Sequence, residues 1–129
     1  MDDESLIGLA KKARAHAYAP YSGFAVGAAA LAPDGRVFSG CNIENASYGL
    51  TNCAERTAIF SAVAAGVRRF AALAVVADGE LPCSPCGACR QVIAEFAVER
   101  IILANLAGKS RVVTKEDLLP FAFTLKVHA

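Results

Sequence analysis

The chain has 129 residues with a net charge of +1 from 13 basic and 12 acidic side chains, and apolar types make up 55% of it. That length suits one domain over 1–129, since domains cluster at about 100–150 residues. The balanced charge, with no Lys/Arg-rich segment, excludes the footprint of a duplex-gripping protein and points to a small-molecule partner.

The opening Met1-Asp2-Asp3-Glu4 is acidic where a secretion signal would be basic, so a cytoplasmic protein is expected. Residues 3–18 read as an amphipathic helix. Leu6, Leu9, Ala10, Ala13 and Ala17 recur at helical spacing, opposite Lys11, Lys12 and Arg14. Ala19-Pro20-Tyr21-Ser22-Gly23 breaks it. Strands are expected over 24–32 and 36–41, joined by the hairpin signal Pro33-Asp34-Gly35. Residues 42–52 are polar and turn-rich, hence a loop. A helix over 53–65 ends at Gly66, and 70–77 is a continuous apolar run that suits a buried strand. A loop with Gly79, Pro82 and Pro85 leads to a helix over 86–97. Strands over 100–105 and 111–113 follow, antiparallel because their connection is too short for a crossover. Thr114 caps a short last helix that stops at Pro120.

The order α-β-β-α-β-α-β-β-α predicts an α/β fold with three α/β/α layers, a mixed five-stranded sheet flanked by helices. No apolar run approaches the ~18 residues of a membrane span. The apolar excess for so short a chain therefore points to surface covered by a second copy.

The chemistry lies in the cysteines, at 41, 53, 83, 86 and 89. An odd count in a cytoplasmic chain argues against a disulfide framework and for metal or redox chemistry. Cys53-Ala54-Glu55 and Pro85-Cys86-Gly87-Ala88-Cys89 each open a predicted helix, where the dipole favours a thiolate. Cys86 and Cys89, three apart, share a face. With Cys53 they make three ligands and leave one tetrahedral position open, as in catalytic zinc sites. Glu55 stands beside the metal without binding it and suits proton transfer. Zn2+ with three thiolates carries −1, so a nearby positive group is needed to favour ionised water. Arg56 is the candidate, donating to the thiolates. Its bland alternative is a surface arginine. Cys86 and Cys89 alone could be a redox pair, and Cys41 or Cys83 could close a structural zinc site, but both readings leave Glu55 idle. Cys41 reads as a buried small hydrophobe. His16 and His128 are expected to be solvent-facing or terminal.

The pattern is that of zinc deaminases. Together with Tyr18-Ala19-Pro20-Tyr21-Ser22, Gly40-Cys41-Asn42-Ile43-Glu44-Asn45-Ala46-Ser47-Tyr48 and Leu118-Leu119-Pro120, it resembles the small homotetrameric cytidine deaminases over about residues 5–123. The resemblance implies one zinc per subunit on Cys53, Cys86 and Cys89, with Glu55 shuttling protons. It implies that Asn42 and Glu44 hold ribose hydroxyls, that Phe24 packs on the pyrimidine, and that the Ala54 backbone holds the base. It implies that Ala46, Tyr48 and Phe123 reach a neighbouring subunit's site in a homotetramer. The implied reaction is hydrolytic deamination of cytidine and 2′-deoxycytidine in pyrimidine salvage. Rival readings are deamination of another aminopyrimidine nucleoside, as by the blasticidin S deaminases, and a non-catalytic structural zinc protein. Editing of a polynucleotide is disfavoured by the neutral charge.

Overall fold

The computed structural model describes residues 1–125. Helix α1 (Asp3–Arg14) is followed by strands β1 (Val26–Leu31) and β2 (Val37–Cys41), then by α2 (Ala54–Ala64) and β3 (Ala72–Ala77). Helix α3 (Gly87–Glu95), strands β4 (Ile101–Asn105) and β5 (Ser110–Val113) and helix α4 (Lys115–Leu118) complete the order. The strands form one sheet in the order β2-β1-β3-β4-β5. Only β3 and β4 are parallel, because the connection between them carries α3 and is long enough to cross over. The others pair antiparallel, including the expected β4–β5 turn.

The pleat sends alternate residues to opposite layers. Leu73, Val75 and Ala77 of β3, with Ile101 and Leu103 of β4, face the core shared with α2 and α3. Ala72, Ala74 and Val76, with Ile102 and Ala104, face α1 through Leu6, Ile7 and Ala10. The strand β3 is buried on both faces, which explains why its sequence is a continuous apolar run. The three-layer α/β/α arrangement follows directly.

Two glycines set how closely the helices approach. A methyl group added at Gly27 would stand 2.0 Å from the Ala10 carbonyl oxygen of α1. One added at Gly40 would stand 2.4 Å from the Ala58 nitrogen and 2.6 Å from the Ala54 oxygen of α2. Ala28, Ala29, Ala30 and Ala74 are fully buried along the same seams. Much of the alanine thus packs inside the chain, while large apolar side chains such as Tyr21, Phe24, Leu50 and Leu81 stay exposed. Tyr48, Phe121 and Phe123 remain well exposed. No helix among the described residues is long and apolar enough to cross a membrane.

The boundaries differ from the sequence reading where tertiary contacts intervene. Helix α1 stops at Arg14 rather than 18 because Tyr18 is drawn into a bridge with Ile43, donating to the Asn42 carbonyl and accepting from the Glu44 N–H. Strand β1 starts at Val26 rather than 24 because the Asn42 amide replaces the ladder there. It accepts from the Val26 N–H at 2.8 Å and donates to the Phe24 carbonyl at 2.7 Å. At α4 the cap expected of Thr114 is present, as a capping box with Asp117. Cys41 is half-buried rather than buried. His16 is exposed, and His128 lies outside the described residues.

Candidate active site and metal centre

Helix α2 begins directly after Cys53 and α3 directly after Cys86. Both cysteines are N-caps in extended backbone, and neither uses its sulfur to cap a backbone N–H. The two thiols are therefore free to converge at adjoining helix starts. Cys89 joins them from the first turn of α3, and the three Sγ atoms lie within 4.8 Å of one another. Cys53 Sγ and Cys86 Sγ are 3.7 Å apart. A tetrahedral ion with zinc–sulfur bonds of about 2.3 Å needs sulfurs about 3.8 Å apart; the Cys53–Cys86 pair matches that spacing, and Cys89 lies within reach of it. Neither Cys41 nor Cys83 joins it, which leaves the set at three thiols.

The electrostatics of the cluster point the same way. Donation from the Cys89 thiol, aided by Arg56 and Cys86 against the effect of burial, holds the Cys53 thiol down to about 5. Cys89, as the donor of that bond and buried besides, is held well above the usual thiol range. Arg56 Nη2 donates to Cys53 Sγ at 3.4 Å, and Cys53 is the main reason the guanidinium is held more firmly protonated than usual. The Nε of Arg56 is buried and has no partner among the described residues. Glu55, one residue into α2, is 4% exposed, and burial pushes its carboxyl above the usual range. Cys83 is pushed up to about 11, chiefly by burial.

A cleft of about 250 Å³ opens onto the cluster, with Cys53, Glu55 and Cys86 in its wall. Phe24, Asn42, Glu44 and Ala54 line the same cleft. One chain therefore brings together most of the residues singled out by sequence. Three others stand apart. Ala46 and Tyr48 line a neighbouring hollow beyond Glu44. Phe123 is exposed near α3, where Gln91 Nε2 donates to its carbonyl at 2.9 Å.

The approach to Cys86 is braced from two sides. Arg90 Nε donates to the Pro85 carbonyl at 2.9 Å, while its Nη atoms donate to the Leu118 carbonyl and to Ser84 Oγ. Asn105, at the end of β4 and 1% exposed, donates to the Gly79 and Glu80 carbonyls. These contacts, and the presence of Ser22, Thr51 and Cys83 in the cleft wall, were not read from the sequence. Ser22 reads there as part of a helix break and of a family-like segment, with no role of its own.

The family model for the cytidine and deoxycytidylate deaminase zinc-binding region matches residues 1–105. The chain belongs to the cytidine and deoxycytidylate deaminase family. Zinc is that family's metal, and the thiol spacing here fits it. Among cytidine deaminases, that of Sporosarcina psychrophila is 61% identical over 126 residues, covering 96% of this chain and 93% of its own length. The cytidine deaminase of Halalkalibacterium halodurans is 57% identical, with 96% of each chain covered. A crystal structure of cytidine deaminase from Burkholderia pseudomallei superposes with a TM-score of 0.93 at 57% identity, covering 95% of this chain and 100% of that one. The α/β/α layers expected from the element order, and the deaminase fold that the resemblance implied, are thus the fold observed.

Proposed function

We propose that this chain deaminates cytidine and 2′-deoxycytidine by hydrolysis, releasing ammonia and the uridine products. The observation that carries the reading is the buried Glu55 carboxyl in the wall of a cleft that ends at three converging thiols. The similarity to cytidine deaminases over most of the chain supports the nucleoside substrate.

Cys53, Cys86 and Cys89 would hold the zinc, one ion per subunit. Bound zinc supplies a water ionised near neutral pH, the nucleophile that amidine-like C4 requires. Arg56 offsets the negative charge of the thiolates by donating to Cys53. Phe24 packs against the pyrimidine, and the Ala54 backbone meets its polar edge. Asn42 and Glu44 read the sugar. Glu55 accepts a proton from the attacking water and delivers it to ring N3. After C4–O bond formation it moves a second proton to the amine, and the C4–N bond breaks as the carbonyl forms. A carboxyl raised by burial suits a group that must both take and give a proton at neutral pH.

The tetramer belongs to this reading. Ala46, Tyr48 and Phe123 lie outside the chain's own cleft, as residues serving a neighbouring site would. The place of the reaction would be pyrimidine salvage in the cytoplasm.

The test follows the ultraviolet change as zinc-loaded protein acts on cytidine. Turnover is expected, and Glu55→Gln should keep its zinc and lose about 10²–10⁴-fold in rate. Zinc-loaded protein that leaves cytidine unchanged would refute the reading. Turnover of blasticidin S alone would move the substrate to another aminopyrimidine nucleoside.

A further inference from the structure

Glu44 does not stand free in the cleft. Its Oε1 accepts from the Tyr21 N–H at 2.9 Å and from the Ser22 N–H at 3.1 Å, and its Oε2 accepts from the Ser22 hydroxyl. The same hydroxyl accepts from the Phe24 N–H at 3.0 Å. A serine hydroxyl has one proton to give, so this arrangement fixes its direction, from the Phe24 N–H through Ser22 Oγ to Glu44 Oε2. The turn that makes it possible is closed by Gly23 at φ +69, with the Gly23 N–H donating to the Ala19 carbonyl at 3.0 Å.

The inventory of acceptor sites then becomes restrictive. A carboxylate offers about four lone-pair sites, and residues 21 and 22 take three of them. The one that remains lies on Oε2, the oxygen held by Ser22. Asn42 is similarly committed, with one amide proton on the Phe24 carbonyl and one lone pair on the Val26 N–H. What the pair can still offer a ligand depends on where Ser22 holds Oε2.

We propose that Ser22 is a positioning residue for sugar recognition, its hydroxyl orienting the Glu44 carboxylate while anchoring the backbone of Phe24. This rests on the reading above, in which Glu44 meets the ribose. Ser22 touches no reacting atom in that scheme. It links the sugar-reading carboxylate to the backbone of the residue that packs on the base. Removing the hydroxyl takes from Oε2 the one donor it has among the described residues, while Oε1 keeps its two backbone N–H donors, so the carboxylate stays anchored at one oxygen and loses the contact that fixes the other.

The experiment compares Ser22→Ala with the unaltered zinc enzyme on cytidine and on 2′,3′-dideoxycytidine, which lacks both ring hydroxyls. The kcat/KM ratio of cytidine to the dideoxy analogue should fall about tenfold in Ser22→Ala, the factor worth one modest hydrogen bond. The loss should sit in KM rather than kcat. Ser22→Thr, which keeps the hydroxyl, should restore most of the ratio, and Ser22→Ala should add little when Glu44→Gln is already present. An unchanged ratio in Ser22→Ala, with the unaltered enzyme active on cytidine, would overturn the role of Ser22 alone. An unaltered enzyme inactive on cytidine would overturn the parent reading, and this inference with it.

Discussion

Gly40→Ala tests how the sheet positions the site. The added methyl would meet α2 backbone, at 2.4 Å from the Ala58 nitrogen and 2.6 Å from the Ala54 oxygen, where ordinary contact begins near 3.4 Å. Neither atom belongs to a side chain that could swing aside, so α2 must retreat from β2 by about 1 Å. Overpacking of this kind costs about 1–3 kcal/mol. For a domain of this size that lowers the melting temperature by roughly 4–12 °C. The retreat begins at Ala54, between Cys53 and Glu55, so activity should suffer beyond the loss of stability. A displacement of about 1 Å in a catalytic constellation can cost about 10²-fold in rate. The control is the same chemical change at Gly8, inside α1, where an added methyl meets nothing within 4 Å. There the gain in helix propensity should stabilise by about 0.5–1 kcal/mol. Thermal melting and cytidine turnover on both variants decide the matter. A Gly40→Ala protein that melts with the unaltered chain and keeps its kcat/KM would refute the argument that this close approach places the site.

Three further outcomes follow from the same site. Arg56→Gln removes the donor to Cys53 and should weaken zinc retention against a chelator, or lower kcat/KM, by about 10–100-fold with the melting profile little changed; equal zinc retention and kinetics would count against it. In zinc-free protein at pH 7, Cys53, held down to about 5, should be alkylated well before Cys83, held at about 11, as peptide mass spectrometry would show. Glu44 is held below 4.5 by the Ser22 hydroxyl and the Tyr21 and Ser22 N–H groups. Because its folded value is lowered, its anchoring is full above the ordinary carboxyl range and is lost only as pH falls through the lower folded value. The amide proton resonances of Tyr21 and Ser22 should therefore titrate with a midpoint below 4.5, and the transition should vanish in Glu44→Gln. A midpoint at or above 4.5 would contradict the network.

The amino-acid sequence alone determined the element order, the two cysteine segments and the carboxylate that follows the first of them. These were legible because each has a local cause. Hydrophobic periodicity marks helices and strands, turn residues mark their ends, and metal ligands repeat at the spacing of one helical turn. The three-thiol set could be named because Cys86 and Cys89 lie three apart. That Cys53 belongs with them came from the motif rather than from distance along the chain.

Tertiary structure decided the rest. Asn42 reads as a turn residue, yet its amide finishes the lead into β1. Ser22 reads as part of a helix break, yet its hydroxyl bonds a carboxylate 22 residues further on. Tyr18 reads as helical, yet a bridge to Ile43 ends the helix early. Gly40 shows no special backbone angle and is needed for the space that α2 occupies. In each case the deciding partner is distant in sequence and near in space. A composition rich in alanine and glycine signalled that surfaces lie close together. Only the packed layers showed that many of those surfaces are seams between this chain's own sheet and helices, where a single added methyl would push against helix backbone and force it to shift.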